Sequence, residues 1–211
     1  MGARVVAGIQ SADVIATPKH YVGNSQETHR ASISAEISER ALRECYLPSF
    51  RDAVDAGAGS VMTAYNGVNG VRMSDHRELV SEVLKGEWGF DGFVVSDWYG
   101  TEGAAAAANA GLDVEMPGAP PEETHDGTEN GDDESDGGGF DDIPEEIARG
   151  IPDPRTCERF AEALADAVRD GDVPESRLDD MVVRVLRAMD DVGLLSEEDD
   201  RAAGGRRGDD P

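Results

Sequence analysis

A parallel α/β fold is what this sequence predicts, and three observations predict it. Strand-like apolar runs alternate with helical patterns, strand then helix, four times along the chain. Such alternation builds a parallel sheet covered by helices. The run Phe93-Val94-Val95, opened by Gly92 and cut off at Ser96-Asp97-Trp98, reads as a strand buried on both faces, as parallel sheets require. The strand-like runs also end in polar groups: Lys19-His20, Asn66, Asp97 and Glu115. In barrels of parallel strands, chemistry gathers at such C-terminal strand ends. On its own stretch Asp97 has two readings, a catalytic carboxylate or a cap for the following helix, with Ser96 as an alternative cap.

Each element has its own signal. Arg4 to Gln10 reads as the tail of a helix. Asp13 to Tyr21 reads as a short strand, with Pro18 marking its C-terminal end because proline cannot donate to a ladder. Gly23 to Arg30 is a polar loop suited either to a ligand or to solvent. Ser34 to Ala56 carries helical spacing through Ile37, Ala41, Leu42, Cys45 and Tyr46, split or kinked at Pro48 and ended by Gly57 and Gly59. Gly59 to Asn66 is the second strand, and Gly67-Val68-Asn69-Gly70 a turn-rich loop. Ser74 is a candidate cap for a helix with Leu79, Val83, Leu84 and Trp88 on one face. After the Asp97 strand come an Ala-rich helix, Thr101 to Ala110, and a further strand-like run, Gly111 to Gly118.

The first unit is thus residues 1–118. Residues 119–150 are dominated by Asp, Glu and Gly and are expected to form a disordered acidic insertion. A calcium site there from Asp132, Asp133 and Asp136 fails the spacing of an EF-hand loop. Residues 151–195 hold two closing amphipathic helices: Thr156 to Asp170, and a second opened by a Ser176/Asp179 capping box. Residues 196–211 are expected to be a disordered tail.

The 211 residues carry 45 acidic against 19 basic side chains, a formal charge of −26. No basic patch exists to neutralise phosphates, so neither nucleic acid nor an anionic membrane is an expected partner. Such acidity suits a protein kept soluble at high salt, a halophilic trait. Cys45 and Cys157 stand far apart, in no metal-ligand spacing, and no metal or cofactor is expected. No run approaches the ~18 apolar residues of a membrane span. No signal segment opens the chain, which leaves a cytoplasmic location as the default expectation.

Read together, several blocks resemble glycoside hydrolase family 3, of the β-glucosidase type. Lys19-His20-Tyr21 with Asn24 to Arg30 resembles its first active-site block, and Glu39 to Glu44 with Tyr46-Leu47 the helix after it. Ser60 to Asn66 with Val68-Asn69-Gly70 resembles the next block, Glu87 to Trp98 the nucleophile block, and Ala110 to Gly118 the segment that follows. The likeness runs from about Gly8 to Leu195, the acidic insertion excepted. It implies a partial (β/α)8 TIM barrel, roughly the last four strand–helix units.

The resemblance also implies roles. Asp97 would be the nucleophile of a retaining enzyme that removes terminal β-linked glucose through a covalent glycosyl-enzyme. Lys19, His20 and Arg30 would donate to sugar hydroxyls, and the two cations would favour an ionised Asp97. Met62 and Tyr65 would line the glucose subsite and Trp98 would offer an aromatic platform. The family's first barrel half, and the second domain that usually brings its acid/base, have no counterpart in these residues. They are therefore expected partners, as a separate chain or as lost sequence, alongside the glycoside substrate. Glu115 is the remaining strand-end carboxylate, but the family places the acid elsewhere. The Lys19 to Asn24 loop disfavours the hexosaminidase branch. A β-xylosidase and an inactive, sugar-binding remnant stand as alternatives.

Overall fold

A computed structural model describes residues 1–118 and 160–195. The predicted acidic insertion, the three aspartates weighed for calcium, Thr156, Cys157 and the tail from residue 196 lie outside the described residues.

The architecture is mixed α/β, and its centre is parallel. Strand β2 (Ser60–Met62) pairs with β5 (Phe93–Val95) in register Ser60 to Phe93 and Met62 to Val95. Two single bridges flank this pair, Tyr21 to Thr63 and Val95 to Val114, both parallel. Four consecutive rungs therefore lie side by side, matching the four strand ends legible in the sequence. The first rung is irregular. Ser60 and Met62 donate to Ala16 O and Pro18 O at 3.2 and 3.1 Å, and Tyr21 donates to Met62 O at 2.8 Å. Pro18 has no N–H for a ladder, so the stretch follows the sheet without forming a regular strand.

Helices cover this layer. Helix α1 (Gly2–Gln10) packs on α3 (Pro48–Asp55). The long pattern expected from Ser34 divides. Ser34–Ala35 is strand β1, and α2 (Glu39–Ala41) begins after Ser38, whose hydroxyl accepts from Ala41 N–H. A π-turn, Leu42–Tyr46, joins α2 to α3, where Pro48 occupies the first turn. There its missing N–H costs no helical hydrogen bond. The turn-rich loop is a hairpin: β3 (Gly67–Val68) and β4 (Val71–Arg72) run antiparallel, and β3 also pairs in parallel with β1. Asn69 and Gly70 both have positive φ, 50° and 85°. That is the backbone a two-residue hairpin turn needs, and Asn-Gly supplies it.

Between β4 and β5 lies a π-wound helix, Glu78–Glu87, burying Leu79, Val80, Val83 and Leu84. Ser74 does not cap it. The Ser74 hydroxyl donates to Gly100 O, and His76 Nδ1 accepts the Leu79 N–H instead, at 3.4 Å. Helix α4 (Ala104–Ala110) is nearly all alanine and is capped by Gly111 at φ 111°. A Cβ at Gly111 would lie 2.6 Å from Ser81 Oγ, so close packing as well as φ favours glycine there. Helices α5 (Glu162–Arg169) and α6 (Glu175–Asp191) close the described chain. Ser176 and Asp179 form no capping box. The extended Pro174 precedes the first turn and accepts from Arg177 N–H. The main core gathers Tyr21, Val61, Val68, Met73, Leu84, Val94 and Leu112 between sheet and helices.

Candidate active site

The C-terminal ends of the first two rungs bring His20 and Tyr65 to Asp97, at the end of the third. Asp97 lies two residues past the end of β5 and is 9% exposed. Its Oδ1 accepts the Trp98 N–H at 2.8 Å, while Oδ2 faces His20 Nε2 at 3.3 Å. The N–H bond makes Asp97 a turn former for the residue beside it, yet its second oxygen remains directed at the strand-end cluster. The helix-cap reading does not hold: α4 starts after Gly103 with no side-chain cap, and the Ser96 hydroxyl accepts the Met116 N–H instead.

His20 is half-buried, and its imidazole is held below the ordinary 6.5. Burial is the main cause. The Asp97 charge opposes it, and Lys19 and Arg30 reinforce it. His20 is therefore neutral at neutral pH. Tyr65 is buried, and its hydroxyl donates to Trp98 O at 2.7 Å. Burial first, then the Asp97 charge, push that hydroxyl up to about 12. The Arg30 guanidinium lies 5.0 Å from the Tyr65 ring centre and bonds Glu27 at 2.8 Å. Trp98 stands at the rim, 52% exposed, edge-on to Tyr99.

His20, Arg30, Tyr65 and Trp98 are thus gathered around Asp97. Lys19 is exposed and acts on the group through its charge on His20. Met62 is half-buried opposite Val95. Glu115 is buried and committed to the fold, accepting from the Thr101 hydroxyl and the Phe160 N–H, each at 3.1 Å. Among the described residues no three His, Cys, Asp or Glu side chains cluster to hold a metal. A cavity of 240 Å³ lies at the other end of the strands, by Gln10, Gly59, Gly92 and Asp191, and includes none of these residues.

Two residues of this region were not singled out from sequence. Arg72 donates to Tyr65 O and pairs with Glu102 in the loop after Asp97. Asp113 lies beneath the strands and accepts from Val94 N–H, Lys85 and Arg177. The Asn69-Gly70 dipeptide was the signal available for the first, because a two-residue hairpin sets Arg72 opposite Gly67.

Comparison with known proteins identifies the family. Residues 1–131 match the family described as Glycosyl hydrolase family 3 N terminal domain. Probable beta-glucosidase F of Aspergillus fumigatus is 40% identical over 202 residues, which are 93% of this chain and 20% of that protein. A beta-glucosidase of Rhizobium radiobacter is 50% identical over 114 residues, 54% of this chain and 14% of that protein. Among solved structures, beta-glucosidase D2-BGL from Chaetomella raphigera superposes with a TM-score of 0.72 at 35% identity, covering 92% of this chain and 22% of that one. DesR, a beta-glucosidase from Streptomyces venezuelae in complex with D-glucose, gives 0.72 at 36% identity over 92% of this chain and 22% of that one. The chain spans about a fifth of the length of several such relatives. With more than half of its residues matched, and with strand-end blocks in the order the fold requires, the chain belongs to glycosyl hydrolase family 3 through that family's N-terminal domain.

Proposed function

We propose that this chain carries the nucleophile half of a retaining β-glucosidase, with Asp97 as the attacking carboxylate. The observation that carries the proposal is the Asp97 carboxylate at the C-terminal end of β5, one oxygen held by Trp98 N–H and the other turned toward His20. The four parallel rungs are then an arc of a (β/α)8 barrel, whose C-terminal face is the catalytic face. β-Glucosidase names among the relatives support glucose as the sugar.

In the reaction, an Asp97 oxygen bonds to the anomeric carbon as the bond to the leaving oxygen breaks. The leaving oxygen takes a proton from an acid. Water, deprotonated by that same group, then displaces Asp97, and the anomeric configuration is retained. A neutral His20 donates one hydrogen bond and accepts another, which suits a sugar hydroxyl. Lys19 and Arg30 supply charged donors and Trp98 an apolar face for the ring. Glu115 does not serve as the acid, because its oxygens are taken up by Thr101 and Phe160. The acid/base is contributed by segments beyond these residues, which are also the partners that complete the site.

The first displacement can be tested without that acid. A 2-deoxy-2-fluoro-β-glucosyl fluoride has a leaving group that departs without protonation, and its glycosyl-enzyme hydrolyses slowly. The full chain is expected to gain one fluoroglucosyl group by intact mass, on the peptide containing Asp97. Asp97→Asn should lower the rate on the order of 10⁴-fold. Labelling elsewhere, or none, would defeat the assignment. Preference for the corresponding xylosyl reagent would favour a β-xylosidase.

A further inference from the structure

The loop that follows Asp97 is tied to the fourth rung by Tyr99 N–H to Met116 O at 2.8 Å and by the Thr101 hydroxyl to Glu115 at 3.1 Å, and further ties come from the hairpin side. Tyr65 OH donates to Trp98 O at 2.7 Å, and Ser74 Oγ donates to Gly100 O at 2.9 Å. The remaining tie is Arg72. One of its guanidinium nitrogens donates to Tyr65 O at 3.3 Å, and another pairs with the Glu102 carboxylate. Arg72 therefore closes a circuit: hairpin to Tyr65 backbone, Tyr65 hydroxyl to Trp98, Trp98 along the loop to Glu102, and Glu102 back to Arg72. The hairpin fixes its starting point, since Arg72 pairs with Gly67 across the Asn69-Gly70 turn.

We propose that Arg72 is a positioning residue, clamping the Asp97–Glu102 loop to Tyr65 and so setting where Trp98 stands over the sugar site. This rests on the retaining-glycosidase reading above. An ion pair with a Glu102 side chain 59% exposed would by itself contribute little. The Arg72 side chain, however, is 19% exposed and spends its second donor on the Tyr65 carbonyl in a part-buried hydrogen bond. A planar fork reaches both acceptors at once, whereas a lysine ammonium offers a single centre. Arg72 also sets its charge against two carboxylates, Glu102 and the neighbouring Asp75. Removing it would leave these to repel each other beside the loop.

The chain's two tryptophans make the clamp observable. In protein labelled with 5-fluorotryptophan, Trp88 and Trp98 give two ¹⁹F resonances, assigned with Trp98→Phe. Trp88 packs on Tyr21 in the core and reports whether the fold is intact. Arg72→Lys and Glu102→Gln are each expected to shift or broaden the Trp98 resonance and leave Trp88 in place. The double variant should move it no further than either single one, as members of one network do. In parallel, fluoroglucosyl trapping should need about tenfold more reagent for half-saturation in either variant, with a nearly unchanged rate at saturation. A Trp98 resonance unmoved by Glu102→Gln, or additive shifts, would overturn the clamp. Because Glu102 is on the surface, that variant cannot fail through loss of the core. If the parent itself is not trapped, the glycosidase reading falls, while the ¹⁹F result still decides whether Arg72 positions the loop.

Discussion

Asp113 shows how one buried side chain can tie distant elements together. Its carboxylate is fully covered and accepts from Lys85 Nζ at 2.8 and 2.7 Å, Arg177 Nη2 at 2.7 Å and Val94 N–H at 2.7 Å. The contacts join the π-helix, β5 and α6 directly beneath the Asp97 strand. Arg177 also pairs with Asp180 at 2.7 Å, whereas Lys85 pairs, among the described residues, with Asp113 alone, so the cations are not equal in worth. Burial, with Arg177 adding, brings the Lys85 ammonium down to about 8 from 10.5, against the pull of Asp113. Asp113→Asn would strand the buried Lys85, while Arg177 keeps Asp180, and is expected to cost about 3–5 kcal/mol. Lys85→Met would leave the Asp113–Arg177 pair intact and should stay within about 1 kcal/mol of the parent. The sign of the pH effect follows from Lys85. Between its folded value and 10.5 the unfolded chain holds the extra proton, so stability rises with pH across that window. Urea midpoints from pH 7.5 to 10.5 should climb in the parent and flatten in Lys85→Met. Equal losses in the two variants at pH 7.5 would refute the unequal sharing.

At the scale of elements, the π-helix Glu78–Glu87 begins on a histidine rather than on the serine its sequence offered. His76 is buried, and burial holds its imidazole below the ordinary 6.5. The neutral ring can accept the Leu79 N–H at Nδ1, whereas the protonated ring cannot. The unfolded chain therefore takes up this proton at a higher pH than the fold does. Stability should fall as pH drops below about 6.5, the ordinary histidine value. His20, lowered for the same main reason, adds to the slope. Urea midpoints between pH 7.5 and 5 should show it, and His76→Gln, which keeps an acceptor but does not titrate, should remove part of it. An unchanged slope in His76→Gln would refute the cap. The strands were legible because an apolar run such as Phe93 to Val95 has one reading in a covered parallel sheet. The helix starts were less so. Ser74 and Ser176 have capping chemistry, but Ser74 is drawn to Gly100 O by packing, and Pro174 already sets the entry to α6. Ser34 and Ala35 look helical in sequence because short strands lack a period of their own, and their pairing with Gly67 and Val68 lies 33 residues away.

For the molecule as a whole, the order of the blocks carried most of what was legible. Local runs end in Lys19-His20, Asn66, Asp97 and Glu115, and parallel pairing leaves their ends on one face, so the grouping of His20 and Tyr65 near Asp97 follows from the chain order. Arg72 with Glu102, and Arg177 with Asp113, follow from no local pattern, because each pair depends on how a hairpin or a closing helix is laid against the sheet. The charge of −26 acts at this same scale. Two effects of salt oppose each other. Surface pairs such as Arg40–Glu44, Arg43–Glu39 and Arg51–Asp55 are screened, with a loss of at most ~0.3–0.5 kcal/mol each. Repulsion among unpaired carboxylates is screened too, and with more than twice as many acidic as basic residues it is the larger sum. The Asp113 cluster is buried and nearly indifferent to salt. Raising KCl from 0.1 to 1 M shortens the screening length from about 10 Å to about 3 Å, so most of the gain should arrive within that interval. The melting temperature is therefore expected to rise steeply up to about 1 M KCl and more gently beyond. Chloride keeps this distinct from the burial-strengthening action of sulfate. A melting temperature that falls over the same interval would mean that the surface pairs, and not the net charge, govern how this fold responds to salt.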